Sequence, residues 1–551
     1  MRAPLMRATS IGHAGILIET EHTSILCDPW FLPAFFGSWF PFPRNDQLSG
    51  ELLARLEAVD HLYVSHLHSD HWDAPWLCQH LRRDVDVLLP GYPTRELERA
   101  MRSLGFTELT RTVDGEELDL DGLTVAIHVE TSITDGPGGD SALVVSNGAV
   151  RFVDQNDCRT TDLDALRSHG PVDLHWLQYS GAIWYPMVYD LAPDEMQARV
   201  TAKVDSQLAR AMRYVESVGA RAVVPSAGPP CFLDPELFRL NVIDDESSKQ
   251  SKQSKQSIFV DQRTFLGRLT ASGHRGILAV PGTAIEVTPE EITVHHPVPD
   301  ADVEAIFTAK GDHLRDYQAD WLPWIDGLKA GWADHEPTDL VTTLREWWEP
   351  LLEMAPTVRD AVGGACLLRA GDVEILVDFP AGTVGASEGQ DHAFRFDIDR
   401  SLVEEVVAAR AVDWSNSLFL SCRFSAWRRG EFNEWVYNFF KSLSVERMRR
   451  TEAEAVRRLY PPTEVEPDIE LDGWVVQRRC PHRNADLAVF GEVDDCTLTC
   501  TLHGWRFDLD SGRCLTSADH PIRSRRAGKA ERAEQAIAVR WGDAGQDGDN
   551  R

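Results

Sequence analysis

The sequence lacks the long apolar segments that would place it in a membrane. No run approaches roughly eighteen uninterrupted apolar residues, the length that marks a candidate transmembrane helix. The N-terminal segment, MRAPLMRATS, also lacks the apolar core of a signal peptide. We therefore expect no membrane span, no secretion signal and a cytoplasmic protein.

Cysteine is sparse and positive charge is in deficit. The ten cysteines are scattered along 551 residues, unlike the dense spacing of a secreted disulfide scaffold, and this favours a reducing compartment. The formal net charge is −32, which argues against non-specific binding of nucleic acid and against docking on anionic lipid. A basic electron donor or a cationic substrate is compatible with this charge.

The chain is too long for one hydrophobic core. Short apolar runs alternate with helical patterns in the N-terminal part, which is typical of an α/β sandwich. A tryptophan-rich, helix-rich part follows, and Pro461-Pro462 then leads into a short part rich in turns and strands. The predicted division is an α/β domain over 1–300, an α+β extension over 301–460, a small all-β domain over 463–543 and a disordered tail over 544–551.

Two residue pairs near the C-terminus carry the strongest chemical signal. They are Cys480-Pro-His482 and Cys500-Thr-Leu-His503, separated by the seventeen residues 483–499. This spacing is that of a Rieske [2Fe–2S] cluster, in which one iron takes two thiolates and the other takes two imidazoles. The flanking residues resemble the ligand boxes of Rieske oxygenases and ferredoxins, without the disulfide cysteines of respiratory-chain Rieske proteins. A Cys₂His₂ zinc site is the alternative.

A second cluster of ligand-type residues, His66, His68, Asp70 and His71, follows a predicted strand. On extended backbone His66 and His68 face the same way and are expected to hold one metal. Asp70 and His71 turn at the head of the next helix and are expected to hold a second metal close by. The pattern resembles the metallo-β-lactamase superfamily signature, which implies an α/β metallo-β-lactamase-like αββα sandwich over 1–300.

Within that superfamily, Gly12-His13-Ala14 and Asp28-Pro29-Trp30 resemble the branch that includes ascorbate-6-phosphate lactonase and N-acyl-phosphatidylethanolamine phospholipase. The resemblance implies a further ligand at the end of the strand LTVAIHVE. Glu130 is the predicted ligand, because a carboxylate here resembles the di-iron β-hydroxylases of this fold, and His128 is the alternative.

The resemblance also implies a bridging aspartate and a final histidine. Asp157 is the predicted bridge, with Asp154 as the alternative. The final histidine is expected after the strand in ARAVVPSAGPP, but Ser226 and Ala227 stand there. The site is therefore expected to hold one iron, or two with a ligand from another histidine. The candidates for that ligand are His175, His274, His295 and His296.

The predicted ligand set favours a metal with a preference for oxygen ligands. An added carboxylate and a missing imidazole suit iron or manganese better than zinc. With zinc or manganese a site of this fold performs hydrolysis, which needs no electrons, and a Rieske cluster in the same chain would be idle. Iron held by histidine and carboxylate is suited to O₂ activation.

A metallo-β-lactamase-like domain joined to a Rieske domain resembles the CMP-N-acetylneuraminate hydroxylase family, whose animal members carry the two domains in the opposite order. The resemblance implies a Rieske-dependent non-haem iron monooxygenase that hydroxylates or N-oxygenates a small polar metabolite or nucleotide-sugar-like substrate. The expected partners are O₂ and a ferredoxin or an NAD(P)H-dependent reductase. A homo-oligomer in which the cluster of one subunit serves the metal of another is also compatible with the sequence. The alternative function is a lactonase or phosphodiesterase whose Rieske module senses redox state.

Overall fold

In a computed structural model, the protein divides into two compact units. The first comprises Met1–Arg429 and Glu434–Ala455, and the second Gly430–Asn433 and Val456–Arg551. The predicted ligand His503 and the predicted tail 544–551 lie outside the described residues. The structure describes residues 5–131, 139–160, 162–243, 256–332, 338–459, 466–482, 484–502, 504–516 and 520–528.

The N-terminal part of the first unit contains two sheets. Their strands are β1 (Met6–Gly12), β2 (Gly15–Glu19), β3 (Ser24–Cys27), β4 (His61–Tyr63), β5 (Asp86–Leu89), β6 (Leu109–Arg111), β7 (Glu117–Leu120), β8 (Leu123–Glu130), β9 (Asp140–Ser146), β10 (Arg151–Asn156), β11 (Leu174–Gln178), β12 (Ala222–Ser226), β13 (Ala284–Val287) and β14 (Ile292–His295). The eight-stranded sheet has the order β14-β13-β1-β2-β3-β4-β5-β6, and the six-stranded sheet has the order β12-β11-β10-β9-β8-β7.

Helices accompany these sheets, and six of them lie within the described residues. They are α1 (Gly50–Glu57), α2 (Ala74–His80), α3 (Glu96–Ser103), α4 (Leu163–Ser168), α5 (Pro193–Val218) and α6 (Gln262–Ala271). Neighbouring strands that are joined through helices pair in parallel, as β4 does with β5 and β10 with β11. Parallel pairing brings the carboxyl ends of such strands to one edge of each sheet, and the loops that follow them carry the predicted metal ligands.

The two sheets pack face to face. One buried core joins them and contains Ile16 of β2, Val125 of β8 and Val224 of β12. Side chains alternate between the two faces of a strand, so the other residues of these strands face helices. Leu56 of α1 packs on the outer face of the first sheet, and Val218 of α5 packs on that of the second. The predicted αββα sandwich is confirmed.

The rest of the first unit is a five-stranded sheet with helices. Its strands are β15 (Ala365–Ala370), β16 (Val373–Asp378), β17 (Thr383–Ala386), β18 (Phe394–Ile398) and β19 (Phe424–Arg428), in the order β17-β16-β15-β18-β19. The helices are α7 (Asp300–Thr308), α8 (Lys310–Trp332), α9 (Leu340–Glu353), α10 (Pro356–Val362), α11 (Arg400–Ala408), α12 (Glu434–Phe440) and α13 (Val445–Leu459). Trp348, Trp414 and Trp435 are fully buried, so these tryptophans serve packing.

The second unit is small and mostly β. Its elements are β20 (Ile469–Leu471), β21 (Trp474–Val476), α14 (Leu487–Phe490), β22 (Gly491–Asp494), β23 (Thr497–Cys500), β24 (Trp505–Asp508) and β25 (Ser524–Arg526). They form two three-stranded sheets, β20-β21-β25 and β22-β23-β24. In the part of the chain that the structure describes, no helix combines the length and hydropathy needed to cross a bilayer.

A buried ion-pair network joins α13 to the sandwich. Arg447 Nη2 lies 2.8 Å from Glu96 Oε2 of α3, and Arg447 Nη1 lies 3.1 Å from Asp413 Oδ2. The three side chains are 11–13% exposed. Arg99 of α3 pairs with Glu446 at the same boundary, but both of those side chains are more than half exposed.

We expect Arg447→Met to destabilise the protein by about 3–5 kcal/mol, because two carboxylates would be left buried without their cation. Urea unfolding followed by circular dichroism measures this loss. Arg99→Met is the matched control, and breaking its exposed pair is expected to change stability by about 1 kcal/mol or less. Equal losses in the two variants would show that the network does not hold α13 in place.

Candidate metal centre

The loop between β4 and α2 carries the predicted ligands from His66 to His71, and Asp73 fixes the C-terminal end of this loop. Asp73 caps α2 by accepting from Trp76 N–H at 3.1 Å, which satisfies one donor that the first helical turn leaves open. Its second oxygen accepts from Phe31 and Leu32 N–H groups at 2.9 and 2.8 Å. The single carboxylate of Asp73 therefore ties this loop to the segment after β3.

The loop brings the predicted ligands together with Asp157, which follows β10. His66 Nε2 lies 2.8 Å from His68 Nδ1, and His71 Nε2 lies 3.5 Å from Asp157 Oδ1. Ligand atoms of His66, His71 and Asp157 lie within 4.8 Å of one another. Asp70 and His71 belong to a second group whose ligand atoms also lie within 4.8 Å of one another. His71 is common to the two groups, and His68 is connected to the site through His66.

Carboxylates and a serine behind the histidines fix how the imidazoles point. Asp28 Oδ2 lies 2.8 Å from His71 Nδ1 and also accepts from the Ser65 hydroxyl at 2.6 Å. Asp140 Oδ1 lies 3.2 Å from His66 Nδ1. A carboxylate on Nδ1 holds the proton there and leaves Nε2 as the coordinating atom, so His71 and His66 are oriented for a cation at Nε2.

The pKa values show how strongly these groups interact. Burial acts to lower the pKa of His71, but Asp157 and Asp28 outweigh it and raise that pKa well above its ordinary value. Burial and the neighbouring His66 lower the pKa of His68 well below its ordinary value. Burial acts to raise the pKa of Asp157, yet His71 holds it below its ordinary value. The positive charge on the His71 imidazole therefore lies next to the carboxylates, where the charge of a metal cation is expected.

Atoms at the centre of the site fit a bound metal ion. Among the described residues, His68 Nε2, His71 Nε2 and Asp157 Oδ1 are buried and have no hydrogen-bond partner. His71 Nε2 and Asp157 Oδ1 form an ion pair 3.5 Å long, and the buried His68 Nε2, when left unsatisfied, costs about 1–3 kcal/mol. A divalent cation coordinated by them would remove that cost, and imidazole with carboxylate is a donor set for iron, manganese or zinc.

His13 is a candidate ligand that the sequence reasoning did not assign. It follows β1 in the left-handed region, with φ +52°, and its Nε2 lies 3.0 Å from Asp70 Oδ2. His13, Asp70 and His71 form the second group of ligand atoms within 4.8 Å. Ala227 N–H donates to the His13 carbonyl at 3.0 Å, so the His13 backbone lies beside the turn where the final histidine was expected. The motif Gly12-His13-Ala14 was the available signal.

Glu130 and His128 lie on the face of β8 that points away from the core between the two sheets. Val125 and Ile127 face the core between the sheets, so the even-numbered residues face the helical layer. His128 Nε2 lies 2.9 Å from His169 Nε2, and the charge of Glu130 acts on Tyr214 of α5. Neither residue belongs to the ligand groups found among the described residues, and the choice of Glu130 stays a prediction.

Asp154, the alternative to Asp157, is buried beneath the site. It is 2% exposed, and neither carboxyl oxygen has a hydrogen-bond partner within the described part of the chain. Burial, followed by the charge of Asp28, raises the pKa of Asp154 well above its ordinary value. Burial therefore favours the neutral form of the Asp154 carboxyl group, whereas the lowered pKa of Asp157 favours its ionised form next to His71.

The four other candidate histidines do not enter the ligand groups of the described residues. His175 Nε2 lies 2.9 Å from Gln155 Oε1, and burial lowers the pKa of His175 to about 3. His296 Nδ1 lies 2.9 Å from Thr283 Oγ1, and the His295 side chain is 58% exposed. His274 is half-buried after α6.

The predicted cluster ligands lie in the second unit. Cys480 and Cys500 are fully buried and His482 is 7% exposed. Gly504, which follows His503, has φ +74°, a conformation that favours glycine. Trp505 stacks on the His482 imidazole with ring centroids 3.9 Å apart. Two buried thiols and a shielded imidazole fit the donor set of a Rieske cluster.

Family models match the C-terminal half of the chain. Residues 440–524 match the Rieske [2Fe-2S] domain, which confirms the expected cluster domain at this end. Residues 340–457 match a model described as an Rv3818-like, SCP2-like domain, a similarity that the sequence reasoning had not identified.

Curated proteins show similarity to the whole chain and to parts of it. The Rieske 2Fe-2S iron-sulfur protein Rv3818 of Mycobacterium tuberculosis is 44% identical over 537 residues, which are 95% of this chain and 100% of that protein. The cytidine monophosphate-N-acetylneuraminic acid hydroxylase of Asterias rubens is 34% identical over 83 residues, 15% of this chain and 12% of its own length. A UPF0173 metal-dependent hydrolase of Paracoccus denitrificans is 27% identical over 123 residues, 22% of this chain and 46% of its own length.

Metal binding is expected to release protons at pH 7, because the raised pKa of His71 keeps its imidazole protonated until a metal displaces the proton. Apparent affinity should therefore rise with pH until the pH passes that raised pKa. Calorimetric titration of the metal-stripped protein with Fe²⁺ or Mn²⁺, in buffers of different ionisation enthalpy, measures the released protons. A heat of binding that is independent of the buffer would contradict this picture of the site.

Asp157→Asn should reduce metal content and affinity by about tenfold to a hundredfold, since it removes an anionic ligand. Asp154→Asn is the matched control and should retain the metal, because Asp154 belongs to neither group of ligand atoms found among the described residues. Elemental analysis of the two purified variants measures the difference. The reverse order of metal loss would assign the bridging role to Asp154.

Proposed function

Because this chain belongs to the family of the Rieske 2Fe-2S iron-sulfur protein Rv3818, we propose that it is a Rieske-dependent non-haem iron monooxygenase. It would use O₂ to hydroxylate or N-oxygenate a small polar metabolite or a nucleotide-sugar-like compound. A ferredoxin or an NAD(P)H-dependent reductase would supply the electrons.

One observation carries this proposal: a buried group of histidines and carboxylates occurs in the same chain as a one-electron carrier. His66, His71 and Asp157 supply the first set of ligand atoms, and the Rieske domain supplies the carrier. Hydrolysis at the first site would leave the carrier without a role. The partial similarity to a hydroxylase of Asterias rubens supports an oxidative reaction over hydrolysis.

The chain's own residues would hold and orient the reacting metal. His66, His68, Asp70, His71 and Asp157 are the proposed ligands, with Glu130 retained as a further prediction and His13 added by the structure. Bound iron would supply O₂ activation, and the cluster held by Cys480, His482, Cys500 and His503 would supply single electrons.

Residues behind the proposed ligands would control their protonation. Asp28 keeps a proton on His71 Nδ1, and Asp140 does the same for His66 Nδ1, so each imidazole presents its Nε2. Burial and the charge of Asp28 raise the pKa of Asp154 well above its ordinary value, which favours a protonated carboxyl group beside the proposed ligands.

Metal analysis and electron paramagnetic resonance test the proposal. We expect at least three irons per chain, two in the cluster and one or more in the sandwich, and a Rieske signal after reduction. Reduced protein incubated with metabolite extracts under ¹⁸O₂ should yield labelled products by mass spectrometry. Two irons with zinc in equal amount, and turnover without a reductant, would establish the metallohydrolase instead.

Two variants separate the roles of the metal sites in the same assay. Cys500→Ser should abolish the Rieske signal and the labelled product while the sandwich retains its iron. His71→Ala should abolish the labelled product while the Rieske signal persists. Labelled product at the wild-type rate from Cys500→Ser would disprove the dependence on the cluster.

A further inference from the structure

Two imidazoles meet on the outer face of the six-stranded sheet, apart from the candidate metal centre. His128 lies in β8 and His169 directly follows α4, and their Nε2 atoms are 2.9 Å apart. The ring centroids are 5.1 Å apart and the ring planes are inclined by 66°, so the rings meet at their Nε2 edges and do not stack. We call His128 and His169 the histidine pair.

A carboxylate behind the histidine pair fixes one of the two tautomers. Glu117 Oε1 of β7 lies 3.0 Å from His169 Nδ1. This contact holds the ring proton on Nδ1 and directs the lone pair of His169 Nε2 toward His128. The same arrangement of carboxylate and imidazole orients histidine ligands in metal sites. The His169 side chain is 9% exposed and that of Glu117 is 59% exposed, so the pair is shielded but not sealed from solvent.

The turn before β7 is shaped around the His128 ring. Gly115 has φ +69°, and a Cβ at this position would lie 3.0 Å from His128 Cε1. Gly115 N–H donates to the Ile127 carbonyl at 2.9 Å, and Asp114 Oδ1 accepts from Val129 N–H at 3.0 Å. The backbone on both sides of His128 is therefore anchored to this turn, and a ligand held in advance loses little freedom on binding.

The surroundings of the histidine pair favour a cation. Glu117 contacts His169 directly, and the charges of Asp114 and Asp162 act on His128. Burial, followed by the charge of His169, nevertheless lowers the pKa of His128 below its ordinary value. The neutral imidazole is the form that binds a metal, so carboxylates and a neutral donor occur together.

A hydrogen bond between the imidazoles uses one lone pair, whereas a metal ion would use both. Two nitrogens in a tetrahedral zinc site, each about 2.1 Å from the ion, are about 3.3 Å apart. The rings would therefore separate by about 0.4 Å to admit the ion between them. His169 follows the end of α4, a helix of six residues, and a shift of this size at a helix end disturbs little packing.

We propose that the histidine pair binds a divalent transition-metal ion, with zinc as the best fit, separately from the candidate metal centre. His128 and His169 would supply the nitrogen ligands, Glu117 would orient His169, and solvent would complete the coordination. Imidazole is a suitable ligand for zinc, and zinc imposes no geometric preference of its own. The ion would tie β8 to the segment after α4. This site needs no electrons and does not rest on the proposed function.

Calorimetric titration of the iron-loaded, full-length protein with Zn²⁺ tests the site. Wild-type protein should bind one zinc per chain and keep its iron, as elemental analysis after gel filtration measures. His169→Gln should abolish this binding, because glutamine keeps a hydrogen-bond donor and an acceptor but removes the imidazole nitrogen. Glu117→Gln should weaken the binding by about tenfold to a hundredfold, the effect of losing the carboxylate behind a metal ligand.

His80→Ala is the matched control. His80 Nδ1 has the same kind of carboxylate contact, 2.8 Å from Glu57 Oε1, but its ring stacks on Trp76 with centroids 5.0 Å apart. This variant should bind zinc as the wild-type protein does. Zinc should also raise the Tm of the wild-type protein, because the ion binds the folded state, and it should leave the Tm of His169→Gln unchanged.

Unchanged zinc affinity in His169→Gln would overturn the proposal. Zinc that enters only by displacing iron, or that is lost in His71→Ala and kept in His169→Gln, would also overturn it, because the zinc would then lie in the candidate metal centre. The iron count separates this proposal from the proposed function. One His169-dependent zinc beside only two irons would retain the histidine site and reject iron in the sandwich.

Discussion

Asp28 organises the interior of the metal centre. Its carboxylate is fully buried and accepts from the Ser65 backbone N–H at 2.7 Å and the Ser65 hydroxyl at 2.6 Å, while its Oδ2 lies 2.8 Å from His71 Nδ1. A buried carboxylate is tolerated only when such donors surround it. Asp28 in turn fixes the tautomer of His71, raises its pKa and turns its Nε2 toward Asp157. Both groups of ligand atoms share His71, so the whole site depends on this contact.

The surrounding fold keeps that contact rigid. The sandwich delivers Asp28 from the end of β3 and the signature loop from the end of β4, two strands that pair in parallel. Asp73 then ties the loop back to the segment after β3. Packing of α13 against α3 through buried Arg447 attaches the SCP2-like region to the same unit. Ligands held in this way need little reorganisation on binding a metal, which favours affinity.

Charge is arranged differently at three scales. The whole chain is strongly acidic, and the metal centre is lined by carboxylates, as a cation site requires. On α5 the sign reverses, because Lys203 and Arg210 lie beside Arg159. The net charge of the chain therefore says little about the charge around one buried group of residues.

Short spacings along the chain are enough to predict part of the chemistry and part of the fold. The four residues from His66 to His71 and the two Cys–His pairs are close in sequence, so local geometry alone predicted their chemistry, and the alternating apolar runs predicted the sandwich. Packing of the sheets brings residues that are distant in sequence next to these ligands. Asp28 and Asp140 behind the histidines and His13 beside the Ser226-Ala227 turn come together only when the two sheets pack. Strand alternation also places Glu130 toward α5, because the face that a residue occupies follows from the register of the sheet and not from its distance along the chain.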